Sequence, residues 1–104
     1  MGFNNSGGIE LLEETDTKIN VSPRYHVMMH NDSKTTMEFV VDVLKKIFNK
    51  STSEAVTLMM TIHHKDVALV ATYPSFEYAE LKVDQAHSLA RTQKFPLTCT
   101  IEEA

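Results

Sequence analysis

The side chains best suited to bind a charged group lie in two short polar segments. Asn31 and Asp32 follow a predicted strand and precede a predicted helix, and His63 lies near the end of a second predicted helix. The side-chain oxygens of Asn and Asp and an unprotonated His nitrogen accept hydrogen bonds, which suits them to a ligand that carries hydrogen-bond donors. If the two helices pack antiparallel, as the short linker between them implies, these acceptors rim a cleft. Apolar side chains then form its floor: Met37, Val40, Met59 and Ile62.

Catalytic and metal-binding chemistry has little support in this sequence. His26 and His30 are about 13 Å apart along one face of a strand, and the neighbours His63 and His64 are expected to point in different directions. There is no HExxH motif and no second cysteine, so no metal site is expected. Cys99 lies on the apolar side of a strand, and all three glycines precede residue 9. We therefore expect no cofactor, no phosphate-binding loop and no catalytic residue.

Methionine is concentrated around the same segments. Five of the six methionines are Met28, Met29, Met37, Met59 and Met60. Methionine fills irregular gaps in protein cores, and it is also frequent at surfaces that accept several apolar partners. Composition alone leaves both interpretations open.

Three strands are predicted from hydrophobic periodicity. Apolar and polar residues alternate over 25–30 and over 97–101, and a β-rich apolar run covers 67–73. Alternation is typical of a strand with one buried face, and the continuous apolar run is long enough for a buried strand.

Three helices are predicted between these strands. Possible capping boxes at Thr35-x-x-Glu38 and Ser51-x-x-Glu54 precede apolar residues at helical spacing, and Ser75 can cap a third helix. The order is β-α-α-β-α-β. We expect a small two-layer α+β domain, with the helices on one face of a three-stranded antiparallel sheet.

Composition narrows the class of partner and the compartment. The 104 residues carry a formal charge of −4, so no nucleic-acid partner is expected. No apolar stretch approaches the roughly 20 residues of a membrane helix. The single cysteine suits a reducing, cytoplasmic setting. Residues 1–22, in which four acidic residues face only Lys18, are expected to be a flexible acidic extension, and residues 23–104 the core domain.

Four stretches of the chain together resemble one family. They are 25–32 (YHVMMHND), 35–44 (TTMEFVVDVL), 58–63 (LMMTIH) and 95–100 (FPLTCT). In this order and spacing they are similar to the ClpS adaptor family of bacterial Clp proteolysis. The resemblance implies a non-enzymatic, monomeric adaptor that binds proteins beginning with Leu, Phe, Tyr or Trp. It also implies delivery of these N-degron proteins to the N-terminal domain of a ClpA-like AAA+ unfoldase, which engages the flexible extension during hand-over.

The resemblance also implies roles for individual residues. The α-amino group of the substrate would be held by Asn31, Asp32, Ser33 and His63. The substrate side chain would enter a pocket lined by Thr35, Met37, Val40, Met59, Ile62 and Leu97, where Met37 narrows the mouth against side chains branched at Cβ. Glu77 and Lys82 on the third helix match positions that dock on the unfoldase.

Two positions beside the polar segment depart from the family pattern. Ser33 stands where a second acidic residue is common, which predicts a weaker attraction for the α-amino group. Lys34 stands where an aromatic residue is frequent. The alternative hypothesis is a non-catalytic interaction module like a ribosomal-stalk C-terminal domain, which would use its third helix and have no working pocket. Peptide binding separates the two.

Overall fold

The structure is a computed structural model and describes residues 23–104. Its elements confirm the predicted α+β fold and the order β-α-α-β-α-β. They are β1 (Tyr25–His30), α1 (Met37–Lys46), α2 (Thr52–Lys65), β2 (Val67–Tyr73), α3 (Phe76–Thr92) and β3 (Thr98–Glu103). The acidic extension predicted for residues 1–22 lies outside the described residues.

The sheet has β1 at its centre. The strand order is β2-β1-β3, and both neighbours run antiparallel to β1. Val27 and Met29 on one face of β1 are fully buried under the helices, as the alternation predicts. His30 at the end of β1 pairs with Val67 at the start of β2. This register places the end of β1 beside the end of α2, because a single residue separates α2 from β2.

Local hydrogen bonds fix where the helices begin. The capping box predicted for α2 is present in both directions between Ser51 and Glu54, and Ser75 caps α3. The capping box predicted from Thr35 is wrong: Thr36 is the N-cap of α1, and its side chain accepts a hydrogen bond from the Phe39 N–H. Within residues 23–104, no helix combines the length and the hydrophobicity needed to span a membrane.

The histidines on the outer face of the sheet are hydrogen-bonded to threonines. His26 Nδ1 lies 2.9 Å from Thr72 Oγ1, and His30 Nε2 lies 2.8 Å from Thr100 Oγ1. In the described part of the chain, no three His, Cys, Asp or Glu side chains are close enough together to hold a metal ion. The side chains of these two histidines therefore serve as hydrogen-bond partners for threonines on the neighbouring strands.

Cys99 on the edge strand β3 is buried, and its backbone N–H is hydrogen-bonded to a histidine of α3. Burial raises the pKa of the Cys99 thiol to about 12, so the thiol stays protonated at neutral pH and is no activated nucleophile. The Cys99 N–H donates to His87 Nε2 of α3 at 2.9 Å. Since this nitrogen accepts, the bond requires an unprotonated ring. It fastens α3 to β3, which within residues 23–104 pairs with β1 alone.

The His87 bond predicts a pH dependence of stability. Burial lowers the pKa of His87, nearby Arg91 lowers it further, and Asp84 opposes them. The unfolded chain therefore takes up a proton more readily than the folded one just below the ordinary His pKa of about 6.5. The stabilisation is complete above that pH and is lost as the pH falls through the lowered value. Urea unfolding from pH 7.5 to 5 should show a steeper loss for wild type than for His87→Gln, which keeps an acceptor that does not titrate. Parallel curves would contradict this role.

Candidate functional site

A cavity of about 540 Å³ opens where the end of β1, the start of α1 and the end of α2 meet. The predicted acceptors Asn31, Asp32 and His63 lie on its polar side. The predicted apolar residues Met37, Val40, Met59 and Ile62 also line it, so the structure brings together both parts of the cleft expected from the sequence. The full lining is Asn31, Asp32, Ser33, Lys34, Thr35, Thr36, Met37, Val40, Met59, Ile62 and His63.

A tertiary hydrogen bond joins the two polar segments. The Asn31 N–H donates to the Asp66 carbonyl oxygen at 2.8 Å. Asp66 is the C-cap of α2, with a left-handed φ of 71°, and its own N–H donates to the Ile62 carbonyl. The turn that ends α2 therefore presents a carbonyl to the end of β1. This contact holds Asn31 next to the last turn of α2, which carries His63.

Asp32 organises the turn between β1 and α1. Its Oδ1 accepts from the backbone N–H groups of Lys34 (2.8 Å) and Thr35 (2.7 Å), and its Oδ2 accepts from Thr35 Oγ1 at 2.7 Å. Burial alone would raise the pKa of Asp32, but the hydrogen bonds from Thr35 and Lys34 outweigh it and lower the pKa below its usual value. A carboxylate has about four acceptor sites. Three are used within the turn, so Asp32 contributes a fixed negative charge and one remaining acceptor site.

Asn31 and His63 keep their side-chain acceptors available. Neither side chain hydrogen-bonds to another residue within 23–104, and both are exposed at the cavity. The rings of His63 and His64 lie close together, with centroids 5.2 Å apart in an edge-to-face arrangement, but His63 lines the cavity and His64 does not. His63 lies at the C-terminal end of α2, where the helix dipole carries about −0.5 of a charge. That end of the helix favours a bound cation.

The apolar side of the cavity has a rigid base and an adaptable rim. Val40 and Ile62 are 7 % and 3 % exposed and belong to the hydrophobic core. Met37 is 44 % exposed, and Met59 is partly buried. These two methionines also line a second, neighbouring groove together with Glu38 and Val41. The sequence did not reveal this groove, since it arises only from the side-by-side packing of α1 and α2.

Three residues assigned by the family resemblance lie outside the cavity lining. Leu97 is 1 % exposed and belongs to the same buried cluster as Val40 and Ile62, so it contributes to the core rather than to the open surface of the cavity. Glu77 and Lys82 lie on α3. Glu77 is exposed, and Lys82 Nζ lies 5.5 Å from the centre of the Tyr78 ring, which is a cation–π distance.

Comparison with known proteins assigns the family. The family model of the ATP-dependent Clp protease adaptor protein ClpS matches residues 20–100. The chain belongs to the ClpS family. Its relatives include the ClpS adapter of Lawsonia intracellularis, 44 % identical over 97 residues, which are 93 % of this chain and 86 % of the relative. The ClpS adapter of Desulfatibacillum aliphaticivorans is 41 % identical over 93 residues, 89 % of this chain and 88 % of the relative.

A solved ClpS structure shares the fold. The structure of Agrobacterium tumefaciens ClpS2 bound to L-phenylalaninamide matches with a TM-score of 0.75 and 36 % identity, over 79 % of this chain and 98 % of that one. The comparisons confirm the family and the fold predicted from the sequence. ClpS proteins are adaptors of the Clp protease, and this chain is therefore a Clp protease adaptor that acts with components of that protease.

Proposed function

We propose that this adaptor captures proteins whose first residue is Leu, Phe, Tyr or Trp and delivers them to a Clp AAA+ unfoldase. The observation that carries the proposal is the cavity whose lining combines the hydrogen-bond acceptors Asn31 and His63 with an apolar floor. An N-terminal residue offers the complementary pair of groups on a single Cα, a protonated amine and an apolar side chain.

The polar side of the cavity suits the α-amino group. This group has a pKa of about 7.7–8.0, so at neutral pH it is mostly a cation with three donors. The acceptors are the Asn31 side-chain oxygen, a His63 ring nitrogen and the remaining site on Asp32, with Ser33 as a further neutral acceptor. Acetylation removes the positive charge and adds bulk, so a blocked N-terminus is not expected to bind.

The apolar side suits a long, unbranched or aromatic side chain. Burying such a side chain contributes about 1.5–3 kcal/mol, and a hydrogen bond to a charged group about 1.5–3 kcal/mol. One side chain with two or three such bonds therefore gives a dissociation constant on the order of micromolar. The Met37 side chain at the rim narrows the entrance and disfavours Ile and Val, which are branched at Cβ.

The ligand of the Agrobacterium tumefaciens relative supports this assignment. L-phenylalaninamide, bound to that protein, combines a free α-amino group with a phenyl side chain. These are the two groups for which the cavity of this chain has acceptors and an apolar floor. The likeness of fold, together with the lining residues, favours the same class of ligand here.

The proposal is tested by fluorescence anisotropy with labelled peptides that differ only at the first residue. Free Leu-first and Phe-first peptides should bind, and their acetylated forms and an Ile-first peptide should bind at least about tenfold more weakly. Equal binding of free and acetylated peptides would refute recognition of the α-amino group. Absence of binding by every peptide would favour the alternative of an interaction module that works through α3 alone.

For delivery, we propose that Glu77 and Lys82 on α3 dock on the N-terminal domain of the unfoldase. The two residues lie on a helix that does not contribute to the cavity lining, so substrate and unfoldase can bind at the same time. Lys82→Glu should weaken binding to the isolated N-terminal domain about tenfold or more, because reversing a charge at an interface introduces repulsion. Lys94→Glu, with the same change in net charge, is the matched control. Calorimetry should show an unchanged peptide affinity for both variants.

A further inference from the structure

The rim of the cavity carries one positive charge without a partner in the described chain. Lys34 lines the cavity, is exposed, and forms no ion pair with any residue in 23–104. The Lys34 N–H donates a hydrogen bond to Asp32 Oδ1 at 2.8 Å. This bond fixes the position of the Lys34 backbone on the rim. The residue before it, Ser33, is neutral.

The charges in the cavity lining make Lys34 the side chain that attracts a carboxylate of a bound peptide. Asp32 is the other charged side chain in the lining. Three of its acceptor sites are used by the turn, and its carboxylate forms no ion pair with the Lys34 ammonium. The Lys34 charge is therefore solvated and open to a group on a ligand.

The main chain of a bound N-terminus is expected to leave the cavity on the same side. In the proposed complex the amine reaches Asn31 and His63 while the side chain reaches the apolar floor. The first Cα carries both groups and so lies between them, and the continuous segment 31–37, which lines the cavity from Asn31 to Met37, borders this position. The second Cα follows about 3.8 Å further on. A Lys side chain is long and flexible, so Lys34 reaches the side chains of the second and third residues.

We propose that Lys34 makes this adaptor select N-termini by the charge of the second and third residues, favouring acidic and disfavouring basic ones. The inference rests on the proposed function, because it concerns the chain that follows the captured residue. Between exposed groups such a pair changes affinity about two- to fivefold. Added salt should reduce the preference, since exposed charges are screened over about 10 Å at 0.1 M.

Glu38, four residues after Lys34, offers the opposite preference but lies outside the cavity lining. It lines the second groove, with Met37, Val41 and Met59, and is not part of the cavity lining. A peptide that left across this groove would favour basic second residues. The acceptors Asn31 and Asp32 lie on the Lys34 side, which is why the geometry favours an exit past Lys34.

The test compares three free peptides, Leu-Asp, Leu-Gln and Leu-Lys, each continued by the same neutral sequence. Anisotropy titrations at low salt use the wild-type chain and the variants Lys34→Gln, Lys34→Glu and Lys45→Glu. Lys45 lies in the last turn of α1, about 12 Å along the helix from its start. Its reversal therefore changes the net charge equally without altering the rim.

The expected result is an affinity order of Asp, Gln, Lys with about a fivefold span in wild type. The order should vanish in Lys34→Gln, invert in Lys34→Glu and persist in Lys45→Glu. Equal affinities in wild type, an order unchanged in Lys34→Glu, or a basic preference that Glu38→Gln removes would overturn the inference while leaving N-terminal capture intact. Absence of binding by all three peptides would overturn the proposed function and this inference with it.

Discussion

Replacing His63 with alanine should weaken binding of free Leu-first and Phe-first peptides about ten- to a hundredfold. The substitution removes an acceptor from the polar side of the cavity while leaving its apolar floor intact. A hydrogen bond to a charged group contributes about 1.5–3 kcal/mol, which corresponds to that range of dissociation constants. Anisotropy titration of one peptide series measures the loss directly. His63→Gln keeps an acceptor at this position and should recover part of the affinity.

His64→Ala is the matched control for this experiment. His64 is exposed, lies outside the cavity lining and has its ring centroid 5.2 Å from that of His63. Removing it deletes the same chemical group one residue away, and the peptide affinity should stay within about twofold of wild type. A loss as large as that of His63→Ala would mean that the end of α2 acts through its overall structure. Circular dichroism establishes that both variants are folded.

The strands and helices could be predicted because each has a local cause. The apolar run of β2 ends at Tyr73, as predicted, since Pro74 follows it, and the α2 cap follows from two residues three apart. The α1 cap was misplaced by one residue because two threonines stand side by side. Thr35 donates its hydroxyl to Asp32 Oδ2, so the hydroxyl of Thr36 is the one that caps the helix.

The cleft itself could also be predicted from the sequence, whereas the hydrogen bonds between separate elements could not. Chain order and a short α1–α2 linker sufficed to place Asn31 near His63. The bond from Asn31 to the Asp66 carbonyl depends on a left-handed residue at a position that carries no glycine. Away from the cleft, the bond from the Cys99 N–H to His87 likewise joins residues 12 apart on different elements. No local pattern predicts either contact, because each depends on how finished elements pack.

Methionine, whose role the composition left open, serves both purposes in this structure. Met29 is fully buried at the centre of the sheet, while Met37 and Met59 line the cavity. The two neighbours Met28 and Met29 point to opposite faces of β1, as the period of a strand requires. These two adjacent residues therefore allow the same side chain to be compared in the core (Met29) and on the partly exposed face (Met28).

Met29→Ala should lower the free energy of unfolding by about 2–5 kcal/mol, because it removes a buried side chain and leaves a cavity in a closely packed core. Met28→Ala, on the partly exposed face, should cost about 1 kcal/mol or less. Chemical denaturation measures both free energies of unfolding, and they can be compared directly if the two variants have the same dependence on denaturant concentration. The volume-conserving Met29→Leu should cost less than about 1.5 kcal/mol, so it remains informative if the alanine variant does not fold.

Substitutions at Met28 and Met29 also test whether the stability of the core and the peptide affinity of the cavity can be changed independently. Since Met29 does not line the cavity, the folded Met29→Leu variant should bind Leu-first peptides with wild-type affinity while its unfolding midpoint shifts. Equal destabilisation by Met28→Ala and Met29→Ala would show that the two faces of β1 are not distinguished as the burial pattern indicates. A loss of peptide affinity in Met29→Leu without a change in stability would place Met29 in the binding machinery. The burial of Met29 under the helices argues for stability alone, because a core residue acts on the cavity only through the elements that it holds in place.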